Sequence, residues 1–477
     1  MSSTTGSRLE RLDAASAAYE TAAKPFLIVL FFALLVVPAF FYLGTLRLSF
    51  LRVFMLIMIL PLIFRWLSGR YGGVIAPDFL LLGFSFWVYM SMIKNHGFSV
   101  ATEFSAIQTV ETMGPYLLAR TYIRSEEAFR GFVRTLLWVV ALLMPFALYE
   151  SLTRTMLITR LFDALPGLLT FPNVNYEPRL GLFRAQATFE HPILFGVFCS
   201  SALALAWYVR QPPGTGGIAR LFWSVIAFFG TFLSLSSGAL LAAVVQVLLI
   251  TYESTTRFLA RRWRILTLVT GFFYVVIDLL SNRTPVTIFI SIATFNSSTS
   301  WNRILIWDYG TAEVWRHPIF GIARNDWVRG HWMSASVDNF WLVAAMRSGL
   351  PSLFFLTSAI GLIMWRVGKR DFSASPGLQA CQRGYLISLF GVIIGICTVH
   401  LWGGAYLYLT MLLGSGVWMI SQGQTATTEP PETRPGRRAG RPRDRSRGPA
   451  PDAAAETDPP APRYYSPRRK PPASRQS

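Results

Sequence analysis

The sequence predicts an all-α, polytopic integral membrane protein of about twelve transmembrane helices, with a large external loop between the ninth and the tenth. Three observations predict it. The 477 residues are 52% hydrophobic and only 14% charged, whereas a soluble globular chain carries roughly 25% charged residues; the mean hydropathy is +0.41. The apolar residues gather in runs close to the roughly 20 residues that cross a bilayer as a helix. The Lys and Arg residues between those runs fall mostly into alternate segments, as the positive-inside rule requires. A secreted enzyme and a soluble nucleic-acid binder are excluded on these grounds. With Cys199, Cys381 and Cys397 as the three cysteines, so is a disulfide scaffold.

The runs cover residues 25–44, 48–66, 74–93, 105–121, 131–150, 190–209, 219–234, 237–253, 265–281, 341–365, 384–402 and 404–420. The fourth is the weakest, because Glu111 and Gly114 interrupt it, but Ile107, Val110, Tyr116, Leu117 and Leu118 keep it apolar. The first follows 24 polar residues without a small-residue cleavage site, which reads as an anchor and not a cleaved leader. The chain therefore divides into an N-terminal segment 1–24, a membrane domain 25–421 and a tail 422–477.

The formal net charge is +19. Placing the N-terminus in the cytoplasm puts 31 of the 44 Lys and Arg residues inside, 12 of them in the tail. An even number of spans keeps both termini there. The tail is rich in Pro, Arg, Ala and Gly, too poor in aliphatic residues to bury a core, and is expected to be disordered near the anionic inner leaflet. Two long loops, 151–189 and 282–340, face outward and carry Arg154, Arg160, Arg179, Arg184, Arg283, Arg303, Arg316, Arg324 and Arg329 against the topology rule. Loops of that length on one side of a membrane domain are where chemistry is placed, and the arginines point to an anionic ligand there.

Two His-Pro steps stand in these regions. His191-Pro192 opens the sixth run and His317-Pro318 lies in the later loop. Proline suits the first turn of a helix, so each also reads as a helix start with the histidine as its cap. Between Arg303 and Gly349 the sequence runs Arg303 to Trp307, then His317-Pro-Ile-Phe-Gly321, then Val337-Asp338-Asn339-Phe340-Trp341-Leu342, then Arg347-Ser-Gly349. That order resembles the O-antigen ligase and O-antigen polymerase family of polytopic membrane glycosyltransferases, which shows an Arg before a Trp, a Pro-x-x-Gly turn, a His-Asn-x-x-Leu step and a Gly before the next span. Arg184-Ala-Gln-Ala-Thr-Phe189 running into Pro192 is similar to that family's upstream Arg segment. Pro77-Asp78 and the Gly114-to-Arg120 run add a weaker likeness. Two departures stand out: Asp338 replaces the family's His before Asn, and Pro192-Ile193 replaces Pro-Asn.

The resemblance implies a glycan donor on a polyprenyl diphosphate, presented at the outer face of a bacterial inner membrane. Guanidinium groups suit the diphosphate, which makes Arg184, Arg303, Arg324 and Arg347 its expected binders. A carboxylate or imidazole is needed to take the acceptor's proton. Asp338, in the family's His position, is the first choice and also reads as a helix N-cap; His317 and His331 are the alternatives. Asn339, Trp307 and Trp341 are expected to contact acceptor or sugar, although interfacial Trp belts give such residues an ordinary explanation. The chain has no Asp-x-Asp and no zinc spacing, so neither a metal nor another cofactor is expected.

The expected activity is polymerisation of lipid-linked oligosaccharide repeat units into exopolysaccharide or O-antigen. The alternatives are a ligase that transfers glycan to lipid A core and, from another class, a lipid-linked glycan flippase or transporter. Partners would be the lipid-linked glycan, membrane lipids and other polysaccharide assembly proteins, with no nucleic acid.

Overall fold

The computed structural model describes residues 26–421, apart from 70–72, 174–176, 211–216, 283 and 293–296. The N-terminal segment, the tail and Arg283 therefore lie outside the described residues. What is described is mostly helical, and each of the twelve predicted runs overlaps a helix. Seven helices among the described residues are long and apolar enough to cross a membrane.

The first run departs most from expectation. Its helix, α1 (Phe26–Leu35), stops ahead of Pro38, because the residues preceding a proline are pushed out of the helical region. The aromatic stretch that follows forms β1 (Ala39–Leu43), which turns at Gly44 (φ 62°) into β2 (Leu46–Ser49). The hairpin pairs Phe40 with Ser49, and a short β3 (Leu169–Thr170) adds to the free side of β1. So the chain predicted to finish its first span instead builds a small antiparallel sheet that joins the predicted loop 151–189.

Next come α2 (Phe50–Leu67), α3 (Ala76–His96), α4 (Phe98–Tyr122) and α5 (Glu126–Thr153). Ser49 and Ser125 cap α2 and α5 by accepting backbone N–H groups. The predicted loop 151–189 contains α6 (Leu157–Asp163) and β3 before the chain reaches α7 (Pro192–Tyr208), α8 (Gly217–Leu233) and α9 (Ser237–Thr255). The helix α10 (Arg262–Leu280) buries none of its residues.

The predicted loop 282–340 is largely helical: α11 (Pro285–Ile292) and the 20-residue α12 (Ser297–Arg316) fill its first half. The last elements are α13 (Phe340–Gly368), α14 (Pro376–Gly395), α15 (Gly403–Ser415) and α16 (Trp418–Ser421).

The core runs along α7, whose residues are buried on nearly every face, between α8, α9, α14 and α15. Helices in lipid gain little from hydrophobic contact with each other and pack through small residues that let backbones approach. Gly391 of α14 does this against α9: a Cβ there would lie 2.8 Å from the Ala242 carbonyl oxygen.

The weaker likeness at Pro77-Asp78 and Arg120 has a structural basis. Asp78 is fully buried and forms an ion pair with Arg120 from α4. It also accepts from Tyr116 Oη (2.7 Å), Trp66 Nε1 (3.1 Å) and its own helix start at Ile75 N (2.8 Å). Glu111, which interrupts the fourth run, is likewise paired, with Arg52 of α2 at 2.6 Å. Removing one member of a buried pair leaves an uncompensated charge and costs about 3–5 kcal/mol. Asp78→Ala is therefore expected to lower the melting temperature of the solubilised protein and its level in the membrane; unchanged melting would show that the pair contributes nothing.

Candidate functional site

A cavity of about 730 Å³ opens between the start of α7, the start of α9, α12, the first half of α13 and the loop joining α14 to α15. Arg179, Arg184, Arg303, Arg324 and Arg347 line it, together with Asp338. All four arginines singled out from the sequence, and the carboxylate singled out with them, thus come to one place from residues up to 163 positions apart.

Arg303 reaches it through the phase of α12. Ile306, Gly310 and Val314 recur at three- and four-residue spacing and face α13, where Leu342 and Met346 receive them. Arg303 lies one turn earlier on the same face and so is drawn inward, 7% exposed. Its Nη1 donates to Ser237 Oγ at 3.2 Å, and its buried Nε has no hydrogen-bond partner among the described residues. Burial pushes its pKa below the usual arginine value; Asp338 opposes that shift and Arg179 adds to it.

Arg184 sits on a segment fixed at several points. Its Nε donates to Ser234 O at 3.2 Å, and Ala185 N donates to Leu233 O at 2.9 Å. The buried Glu150, at the end of α5, accepts from Gln186 N (3.0 Å) and Ala187 N (2.8 Å). Glu150 therefore holds the backbone that carries Arg184. Substituting Glu150 with alanine is expected to loosen this segment and weaken the binding of an anionic ligand such as pyrophosphate in the cavity; unchanged affinity would show that Arg184 is positioned without it.

Arg347 owes its place to a break in α13. Gly349 has φ 78° there, a backbone conformation that splits the helix ahead of Pro351. The break frees the Met346 and Arg347 carbonyls, which accept from Ile322 N (2.9 Å) and Ala323 N (2.7 Å), while Leu350 N donates to Pro318 O (2.7 Å). The Pro318-to-Gly321 turn and the Arg347-Ser-Gly349 step are thus two halves of one joint. A Cβ on Gly349 would collide with the Ile319 carbonyl oxygen. Their spacing in the sequence serves this joint, and the joint delivers Arg347 and Arg324 to the same cavity.

Asp338 is not the helix cap that the sequence allowed. Asn339 is: its Oδ1 accepts from Leu342 N at 3.0 Å. Asp338 is left to face the cavity, takes part in no hydrogen bond among the described residues, and lies close enough to Arg303 and Arg184 for both to act on it. Burial raises its pKa above the ordinary carboxylate value, against the pull of Arg303 and then Arg184.

The other expected site residues lie elsewhere. His317 is half-exposed, 3.5 Å from Glu313, and is outside the cavity lining, as is the exposed His331. Trp307 packs in the small core between α12 and α13, and Trp341 packs against the main core beside Phe340. Asn339 is committed to its cap. His191 does line the cavity, and its Nδ1 caps α7 by accepting from Ile193 N at 3.1 Å.

Residues the sequence reading passed over also line it. His400 lies between α14 and α15, stacks against Phe340 and Trp402, and has a buried Nδ1 without a partner among the described residues. A titratable residue near the end of a long apolar run is itself a signal for function. Trp402 and Trp327 are the tryptophans in the lining. A second cavity of about 330 Å³ adjoins the first; Arg324, Val343, Arg347, His400 and Trp402 line both. Its other walls are mainly apolar, from Leu34, Phe84, Val88, Met92, Leu356 and Leu407. Among the described residues no three His, Cys, Asp or Glu side chains gather as a metal site would need.

No protein-family model matches the chain, and no curated protein does.

Proposed function

We propose that this protein is a membrane glycosyltransferase that polymerises oligosaccharide repeat units carried on polyprenyl diphosphate, at the outer face of a bacterial inner membrane. The observation that carries the reading is the meeting of five arginines and the Asp338 carboxylate in one cavity beside a mainly apolar one. Together they match the three parts of such a donor: an anionic diphosphate, a sugar beyond it and a hydrocarbon chain. Twelve spans with both termini in the cytoplasm belong to the same proposal, and they place this cavity on the external side.

In the reaction, an acceptor hydroxyl attacks the anomeric carbon of the donor. A new C–O bond forms, the bond to the diphosphate oxygen breaks, and the hydroxyl proton passes to Asp338. The departing diphosphate gains negative charge. Arg303 and Arg184 meet that charge with fixed donors in a largely buried setting, where they act more strongly than in water. Burial that raises the Asp338 pKa makes its carboxylate a stronger base than an exposed one.

Surface polysaccharide from a strain lacking the protein tests this reading. Single-repeat glycans in place of long chains, restored by the wild-type protein but not by Arg184→Ala, are the expected result. Long lipid-linked chains that are no longer attached to lipid A core would indicate the ligase instead.

A further inference from the structure

The opposite end of the bundle carries a second basic cavity, of about 630 Å³. α7 and α9 join the two: Ile193 and Ser237 face the first cavity, Tyr208 and Glu253 the other. At 1.5 Å per helical residue the separation is about 23 Å, most of the roughly 30 Å thickness of a bilayer's hydrocarbon core.

Arg220, Arg257, Arg262 and Arg383 line this cavity, with Glu253 as the acidic residue among them. Glu253 is fully buried and already engaged: it accepts from Tyr208 Oη at 3.0 Å and pairs with Arg262 at 3.1 Å and Arg383 at 3.0 Å. One carboxylate cannot balance Arg257, Arg262 and Arg383. Arg257 makes no hydrogen bond or ion pair among the described residues. Nor can acidic residues come from the neighbouring 211–216, whose sequence is Gln-Pro-Pro-Gly-Thr-Gly. Like charges gathered between helix ends repel one another.

The structure thus has room, and more guanidinium groups than carboxylates, where an anion would relieve that repulsion. We propose that this cavity binds a phosphate group, with Arg257 as a principal contact and Arg262 and Arg383 held in place by Glu253. Its position between helix ends, with Trp207 in the lining, is that of pockets that take anionic phospholipid headgroups; a free phosphate ion has the same chemistry. The two cavities share no lining residue, so occupancy is measured without any assay of polymerisation.

The test uses the full-length protein, delipidated in neutral detergent. Binding of dioleoylphosphatidylglycerol, dioleoylphosphatidylcholine and inorganic phosphate is followed by native mass spectrometry and thermal shift at constant ionic strength. Wild type is expected to bind the anionic lipid at least about tenfold more tightly than the zwitterionic one. Arg257→Gln should lose that preference and Arg257→Lys keep most of it. Arg261→Gln, whose side chain is outside the cavity lining, should leave it unchanged. An Arg257-dependent shift with inorganic phosphate and none with the lipid would assign the site to a free anion. The proposal is overturned if wild type shows no preference for either anion over phosphatidylcholine, if Arg257→Gln binds as wild type does, or if Arg261→Gln loses the preference as fully as Arg257→Gln.

Discussion

Replacing Arg303 with alanine is expected to lower kcat by on the order of 10²–10³-fold, the usual cost of removing one fixed donor from a developing negative charge. The protein itself should tolerate the change. Arg303 makes one hydrogen bond, to Ser237, its Nε is unsatisfied, and burial already works against its charge. Its melting temperature should therefore stay near wild type or rise. Arg303→Lys should recover only part of the rate, because an ammonium group is a point charge without the planar fork that grips a diphosphate. The check is single-turnover kinetics on lipid-linked substrate beside thermal unfolding. A wild-type rate in Arg303→Ala, or a collapse of stability that accounts for the lost rate, would remove Arg303 from the chemistry.

Asp338→Asn is the second large effect, with an expected loss of about 10²–10⁴-fold, the range of general-base contributions. The pH dependence follows from the direction of its shift. In the proposed role the working form is the ionised carboxylate, so activity is expected to be lost as pH falls through its pKa. Burial raises that pKa, so the acid limb of kcat/KM should lie above the ordinary carboxylate value of about 3.9. The same sign governs stability. A carboxyl group whose pKa is raised on folding favours the folded state at low pH and opposes it, once ionised, at neutral pH. Asp338→Asn should therefore fold at least as well as wild type at pH 7, while its residual activity loses the acid limb. Retention of that limb in Asp338→Asn would assign it to another group in the lining, which also holds His191, Asp326 and His400.

Much of this site could be read from residue order because its parts are local devices. The Pro318-to-Gly321 turn and the Arg347-to-Gly349 step stand out in sequence because a proline, two positive-φ glycines and close backbone contacts leave few substitutes. Arg303 stood out as an arginine in a loop, but the loop proved to be the helix α12. Its polar first turns and Arg303 hid an apolar stripe that only the packing on α13 makes plain. Asp338 and Asn339 show the limit of reading caps from sequence. Either side chain can cap a helix, and one residue's difference in where α13 begins decides which one faces the cavity.

The tryptophans and histidines of the second loop were the least legible. Residue type says that they suit sugars or proton transfer, whereas packing assigns Trp307 and Trp341 to cores and pairs His317 with Glu313. The first apolar run misled for a related reason. Hydropathy does not distinguish a helix from a buried strand, and Pro38 was the residue that marked the change.

The most direct measurement reconstitutes the purified protein in proteoliposomes with a polyprenyl-diphosphate-linked oligosaccharide and no ion gradient, and follows the length of the lipid-linked product by gel and mass spectrometry. A ladder of products, each one repeat unit longer than the last, with one polyprenyl diphosphate released per step, is the predicted result. Donor that crosses the bilayer without being lengthened, or that remains unchanged in the presence of every acceptor tried, would contradict it.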